Sequence, residues 1–306
     1  MNIPVYIFSY NRGLFLQNCV NSILRHAPDS SITIIDDGSQ DPETVRILES
    51  FPEEIRVLRQ ERNNVAKLGG LYHNMQIAVD DSKDDELVMF LQDDTQIVRD
   101  LREEDYQHIS DYFAHFPDAA FLNPHFLKGV RRKGILKAIS LDTSFDTYLY
   151  DFSERLKDRS VTMYYTDIAI VHMQRLKDKG YRYEGNESTC GVQARQHFSK
   201  MGTMVHPFVM SLPEVPIYRG KEKTWGVAKA EERLGLEPNA FKIWTDGEEK
   251  TFLSRDLSVL PFAEDFLTCE RAVQKIPFVK ESVNAFPFLR LMHKLELKLR
   301  KTFKIS

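Results

Sequence analysis

The chain lacks most of the features that would assign it at once to a specialised class. Its 306 residues hold three cysteines, Cys19, Cys190 and Cys269, an odd number with no metal-ligand spacing. That excludes a disulfide scaffold and points to reduced thiols. No apolar run approaches the roughly 20 residues of a membrane span. The opening MNIPVYIFSYN has no basic leader region and enters a strand pattern directly, which argues against a signal peptide and for a cytoplasmic chain. A net charge of −4 offers no global attraction for nucleic acid. There is no internal repeat and no low-complexity segment.

What is present is an apolar run, Leu87–Thr95 (LVMFLQDDT), that stops abruptly at two adjacent carboxylates, Asp93 and Asp94. Such a run bounded by polar residues predicts a strand buried on both faces. Carboxylates at its end sit where open α/β sheets bind ligands. Two close carboxylates repel unless neutralised, which invites a divalent cation and, with it, a phosphate.

The first ~120 residues alternate strand and helix patterns, as in a mostly parallel sheet flanked by helices. Strands are predicted over residues 3–8, 32–35, 55–58, 87–91 and 119–122. Helices are predicted over 14–24, 42–51, with Asp41 as a cap before Pro42, and 71–79. The polar loops Ser9-Tyr10-Asn11-Arg12, Asp36-Asp37-Gly38-Ser39 and Asp93-Asp94-Thr95 each follow a strand. In a parallel sheet they share one edge and converge on one ligand. The basic stretch 128–137 and the aromatic stretch 145–152 read as loop or edge structure. A helix is expected over 167–179, a strand over 181–183, and a charged helix over 229–234. A largely helical tail, broken at Pro277 and Pro287, follows Pro261. Residues 1–212 read as the catalytic domain and 213–306 as an extension carrying a lid-like loop and amphipathic helices.

Four segments, IPVYIFSYNR, ITIIDDGSQDPET, FLQDDT and TDIAIVHMQRLKDKGYRY, occur in this order across most of residues 2–183. They resemble the GT-A fold (Rossmann-like α/β) of family 2 glycosyltransferases. The resemblance implies an inverting, hexosyltransferase-type enzyme that uses a nucleoside-diphosphate sugar. Ser9, Tyr10, Arg12, Asp36, Asp37, Lys67 and Asp93 match nucleotide-binding positions, with Tyr10 stacking on the base and Asp37 accepting from its edge; Asn74 lies where further contacts are common. Asp94 matches the Asp-x-Asp ligand of Mn²⁺ or Mg²⁺, although Gln92 or Thr95 departs from that motif. His206 matches a histidine that completes the metal site in some members. Asp167 matches the general base, at the start of the expected helix, with Thr166 in place of the usual Glu. Arg175 falls two turns along that helix, able to pair with acids or phosphate.

Residues 284–306 combine apolar and basic side chains with a single acid, Glu296. Such a helix lies on an anionic membrane surface or docks on the body of the protein, and the pattern favours neither. The first reading suits a lipid-linked or cell-envelope glycan acceptor and a peripheral enzyme at the inner face of a membrane. Two other functions fit the fold class: a sugar nucleotidyltransferase, disfavoured because SYNRG stands where a Gly-rich loop would, and a GT-A module that binds a glycan or partner without turnover.

Overall fold

A computed structural model describes residues 2–60, 70–83, 87–150, 166–198, 200–217 and 223–303. Its centre is a nine-stranded sheet. The strands are β1 (Val5–Ser9), β2 (Ile32–Asp36), β3 (Arg56–Arg59), β4 (Leu87–Gln92), β6 (Ala119–Asn123), β7 (Ile139–Asp142), β8 (Thr147–Tyr150), β9 (Ala169–His172) and β10 (Lys200–Met204). They run in the order β3-β2-β1-β4-β9-β6-β10-β8-β7. All neighbours on the β3-to-β4 side are parallel, and only β9 and β8 run against the rest. A small antiparallel pair, β5 (Thr95–Ile97) with β11 (Val209–Ser211), continues from the end of β4.

Alternation along the strands explains the layers. Val5 and Ile7 join Leu16, Cys19 and Val20 of α1 (Gly13–His26) in one core. Tyr6 and Phe8 join Met75 and Val79 of α3 (Leu71–Asp81) in the core on the other face. With both faces covered, β1 and β4 are near-continuous apolar runs, as buried parallel strands must be. Asp41 caps α2 (Pro42–Ser50) by accepting from Thr44 N, and Pro42 takes a position whose N–H would be unpaired anyway. The helices α4 (Glu103–His115), α5 (Arg132–Ala138), α6 (Met173–Asp178) and α7 (Glu187–His197) complete the layers.

Several local expectations are corrected. Residues 129–138 are helical, a 3₁₀ turn Gly129–Arg131 leading into α5, because Ile135 and Ala138 are buried and the Arg132 guanidinium covers the Phe262 ring at 4.0 Å. The helix expected over 167–179 is instead β9 followed by the short α6; Ala169, Ile170 and Val171 are buried between β4 and β6, where only a strand fits. Residues 181–183 form no strand. Tyr183 N donates to the Gln76 side chain, and both tyrosine rings point into the core, their hydroxyls on Cys190 O and Thr166 O. The Arg175 guanidinium donates to the carbonyls of Phe113, Phe116 and Ala119, and among the described residues it forms no ion pair with an acid.

The extension contributes α8 (Trp225–Leu234), α9 (Asp246–Leu253), the short α10 (Ala263–Phe266) and α11 (Pro287–Phe303). Between α10 and α11 the chain is mostly irregular rather than helical, apart from one 3₁₀ turn at Ser282–Ala285. Phe241, Phe252, Cys269 and Phe278 share a core with Phe15, Val98, Phe126 and Met210. The extension therefore packs onto the sheet edge that carries the polar loops. Its segment after Phe278 is strapped there by backbone bonds: Glu214 N to Val279 O, Val215 N to Lys280 O and Ser282 N to Val215 O.

Candidate active site

Register brings the polar loops together. Ser9 lies opposite Asp36, and Phe8 opposite Gln92, so the carboxyl ends of β1, β2 and β4 form one edge. The strand β9 runs the other way, pairing Ala169 with Phe90. Its start, where Asp167 sits, therefore reaches the edge at which β4 ends. Asp167 comes to the site because its strand is antiparallel, and no helix terminus is involved.

The first two loops are locked to each other. Asn11, at φ 49°, donates its N–H to Ser39 Oγ and accepts from the backbone N–H groups of Gln40 and Asp41. Asp36 is fully buried and receives the N–H and hydroxyl of Ser39, so it builds the turn rather than meeting a ligand. Asp37 is half-buried and accepts from Gly70 N at 2.8 Å, at the start of α3. A Cβ on residue 70 would lie 1.9 Å from Asp37 Oδ1, so a larger residue there must displace that carboxylate. Lys67 lies outside the described residues. Asn74 is buried within α3.

Asp93 and Asp94 are both buried and share the Arg12 guanidinium, at 3.0 and 3.1 Å. Asp93 also accepts from Tyr10 N and Ser9 Oγ. Burial holds the Asp93 carboxyl above its ordinary value. Burial acts on Asp94 in the same sense, but the Lys280 ammonium 3.1 Å away, together with Arg12 and Lys128, holds that carboxyl below its ordinary value. Lys280 reaches Gln92 Oε1 as well, at 3.1 Å. The Thr95 hydroxyl donates to Gln92 O and touches Cys19 Sγ, so it faces the core and not a ligand. Nearby, burial and the charges of Lys280 and Arg131 press Lys128 down to about 7. His125 is held neutral by burial between Phe126 O and Ser211, beside the same cations.

Across from these cations stands Asp167. It is buried and accepts from Tyr72 Oη at 2.8 Å and from Thr166 Oγ1 at 3.3 Å. Burial raises its carboxyl to about 6, with the Tyr72 hydrogen bond opposing and Glu187 of α7 reinforcing the shift.

His206 is not brought to Asp94. Its ring Nδ1 lies 3.0 Å from Arg255 Nη1 and its carbonyl accepts from Arg99, whose guanidinium forks onto Asp105. It lines a different cavity with His108, Arg102 and Asp146. Burial and the two arginines lower its ring to about 4, an environment that repels a metal ion.

The residues around Asp94 do not fit a bound Mn²⁺ or Mg²⁺. One oxygen, Asp94 Oδ1, is buried without a hydrogen-bond partner. The other is held between two cations. Among the described residues, no group of three or more His, Cys, Asp or Glu side chains is placed to hold a metal ion. A divalent cation on Asp94 would therefore stand beside the Arg12 and Lys280 charges that already meet this carboxylate.

Sequence reasoning missed Lys280, Tyr72, Gly70 and Glu264. Glu264 accepts from Gly129 N at 3.0 Å and Phe278 N at 2.8 Å, tying the Lys128 loop to the Lys280 strap. No local pattern sets these residues apart from ordinary surface or helix positions.

The model of the family described as glycosyl transferase family 2 matches residues 5–134. No curated protein matches the chain. Among solved structures, residues 1–349 of S. aureus TarS align with 14% identity and a TM-score of 0.48, over 69% of this chain and 60% of that one. A longer S. aureus TarS structure aligns with 16% identity and a TM-score of 0.47, over 83% of this chain and 42% of that one. The mannosyltransferase PcManGT from Pyrobaculum calidifontis, solved with GDP-Man and Mn²⁺, gives 11% identity and a TM-score of 0.42, over 75% of this chain and 60% of that one.

Proposed function

We propose that the chain is a family 2-like glycosyltransferase of GT-A fold, as the family model matching residues 5–134 supports, and that it moves a sugar, with inversion, from a nucleoside-diphosphate donor to a hydroxyl acceptor. The observation that carries the reading is Asp167, a buried carboxylate raised to about 6, at the same sheet edge as the Arg12–Asp93–Asp94–Lys280 cluster. A base poised near neutrality takes a proton without being permanently protonated.

The parts then divide as follows. The locked loops carrying Tyr10 and Asp37 hold the base and ribose, and the cations beside Asp94 meet the diphosphate. Ionised Asp167 accepts the acceptor hydroxyl proton as that oxygen bonds to the anomeric carbon. The bond from the anomeric carbon to the diphosphate oxygen breaks on the opposite side, releasing nucleoside diphosphate. Fixed cations at that oxygen offset the negative charge that develops on departure. The acceptor is a glycan or a lipid-linked glycan, and the exposed apolar and basic residues of α11 support a site of action at an anionic membrane surface.

The test incubates the full chain with UDP-, GDP-, dTDP- and ADP-sugars and scores nucleoside diphosphate release for the wild type and Asp167→Asn. Release by the wild type and its loss in the variant are expected, and NMR of the first anomeric product should show inversion. Pyrophosphate release from a nucleoside triphosphate would favour a nucleotidyltransferase instead. A chain that neither releases nor binds any nucleoside diphosphate would refute the proposal.

A further inference from the structure

Asp94 is neutralised from within the chain. Arg12 approaches its Oδ2 at 3.1 Å from the β1 loop, and Lys280 approaches the same oxygen at 3.1 Å from the extension. Lys128 stands within electrostatic reach of both Asp94 and Lys280. Three cations thus gather about Asp93 and Asp94 at the edge where a diphosphate would lie. We propose that Arg12, Lys128 and Lys280 are the diphosphate-binding residues of this enzyme, supplying the counter-charge that the family resemblance assigns to a divalent cation.

Three features support this reading, which rests on the donor site proposed above. The placement of Lys280 is fixed by the fold: its carbonyl accepts from Val215 N, and the flanking Val279 and Ser282 are bonded to Glu214 and Val215. Lys128 and Lys280 are held in common by Glu264, whose two oxygens take the N–H groups of Gly129 and Phe278. A Cβ at residue 129 would lie 2.4 Å from Glu264 Oε2, so a larger residue there would push the Glu264 carboxylate off its bond to the loop. Finally, Lys128 and Lys280 stand within electrostatic reach of each other, and a bound polyanion relieves the repulsion between them. Asp94 in this arrangement holds Lys280 in place, and its oxygen Oδ1, which has no hydrogen-bond partner, remains for a donor hydroxyl.

The decisive experiment titrates the full chain calorimetrically with UDP, GDP, ADP and dTDP, in EDTA and again with excess Mn²⁺. The inference expects one of them to bind in EDTA with a Kd within about threefold of that in Mn²⁺, a difference well under the tenfold that marks a full interaction. Lys280→Gln should weaken that binding by roughly tenfold or more and Lys280→Arg should restore most of it, as for a charge-assisted contact to phosphate. Binding of the parent nucleoside should not change. Binding that is abolished by EDTA and restored by Mn²⁺ overturns the inference and leaves the donor site standing. An unaltered affinity in Lys280→Gln also overturns it. Absence of binding by every nucleoside diphosphate in both buffers removes the donor-site reading and this inference together. The EDTA comparison needs no variant, so it decides even if Lys280→Gln does not fold.

Discussion

Tyr72 donates its hydroxyl to Asp167 at 2.8 Å, joining α3 to the start of β9. The bond favours the ionised carboxylate and opposes the burial that raises Asp167 to about 6. Transfer that depends on ionised Asp167 should therefore rise with pH, with an inflection in kcat/KM near 6. Tyr72→Phe removes the opposing bond, so the inflection should move to higher pH. Asp167→Asn should cost about 10²–10⁴-fold in transfer. The stability effect has the opposite sign. The folded-state value lies above the roughly 3.9 of an unfolded Asp, so this group's contribution falls as pH rises from about 4 to about 6. At neutral pH Asp167→Asn should then be more stable than the wild type, by up to about 3 kcal/mol. Paired pH–rate and urea-unfolding measurements check both signs, and an inactive variant that is also destabilised would contradict this account.

Asp37 and Gly70 provide a steric test of the loops proposed to hold the nucleotide. A methyl group on residue 70 meets Asp37 Oδ1 at 1.9 Å, so Gly70→Ala must displace that carboxylate. Asp37→Ala removes it outright. Both should weaken nucleoside diphosphate binding by about tenfold, on the scale of one hydrogen bond to a charged group. Asp37 is half-buried and the backbone of Gly70 needs no left-handed geometry, so the melting temperature should change little. Equal affinity in wild type and Gly70→Ala, by calorimetry, would show that Asp37 does not touch the nucleotide.

Glu264 couples stability to binding. Glu264→Ala leaves the N–H groups of Gly129 and Phe278 without their acceptor, a loss of about 1–3 kcal/mol in urea unfolding. The same variant should weaken nucleoside diphosphate binding, because the Lys128 loop and the Lys280 strap lose their shared tether. Glu264→Gln keeps an acceptor and should be milder on both counts. Lost stability with unaltered affinity would show that the two cations hold their places without Glu264.

The first half of the chain was legible because its physics is local. Apolar runs such as Leu87–Leu91 are buried on both faces, and Asp41-Pro42 marks a helix start by its own chemistry. The converging loops followed from parallel strands alone. Legibility failed where distant segments decide. The AIVH run of β9 carries no signal distinguishing a strand inserted antiparallel between β4 and β6 from the start of a helix. His206 was plausible from its type, yet the arginines that claim it, Arg99 and Arg255, are far from it in sequence. Lys280 is a lone lysine after Phe278-Val279, and only the strap pairing with Glu214 and Val215 brings it to Asp94. Asp36 and Asp37 look equivalent, but the Ser39 turn buries one and leaves the other half-buried.

The tail helix α11 docks on the body of the protein through one stripe and leaves another exposed. One stripe docks: Leu289 is buried beside Val227 and Ala230 of α8, His293 meets Thr224 Oγ1, and Glu296 accepts from Trp225 N. A second stripe, Phe288, Leu291, Leu295 and Leu299, stays exposed, with Phe288 at 64% and Leu291 at 54%. Arg290, Lys294, Lys298 and Lys301 are exposed beside it. Among the described residues no helix is long and apolar enough to cross a membrane, so this one would lie in the interface plane. Flotation with vesicles containing anionic phospholipid should recover the protein, and added salt should reduce the recovery as the basic stripe is screened. Leu291→Glu with Leu295→Glu should abolish flotation without lowering the melting temperature, because both positions lie outside the docking stripe. Removing the whole helix would uncover Val227 and Val283 and confuse binding with folding, so the point variants are the sharper probe. If the double variant floats as well as the wild type, the exposed stripe does not bind lipid and the apolar face belongs to another partner.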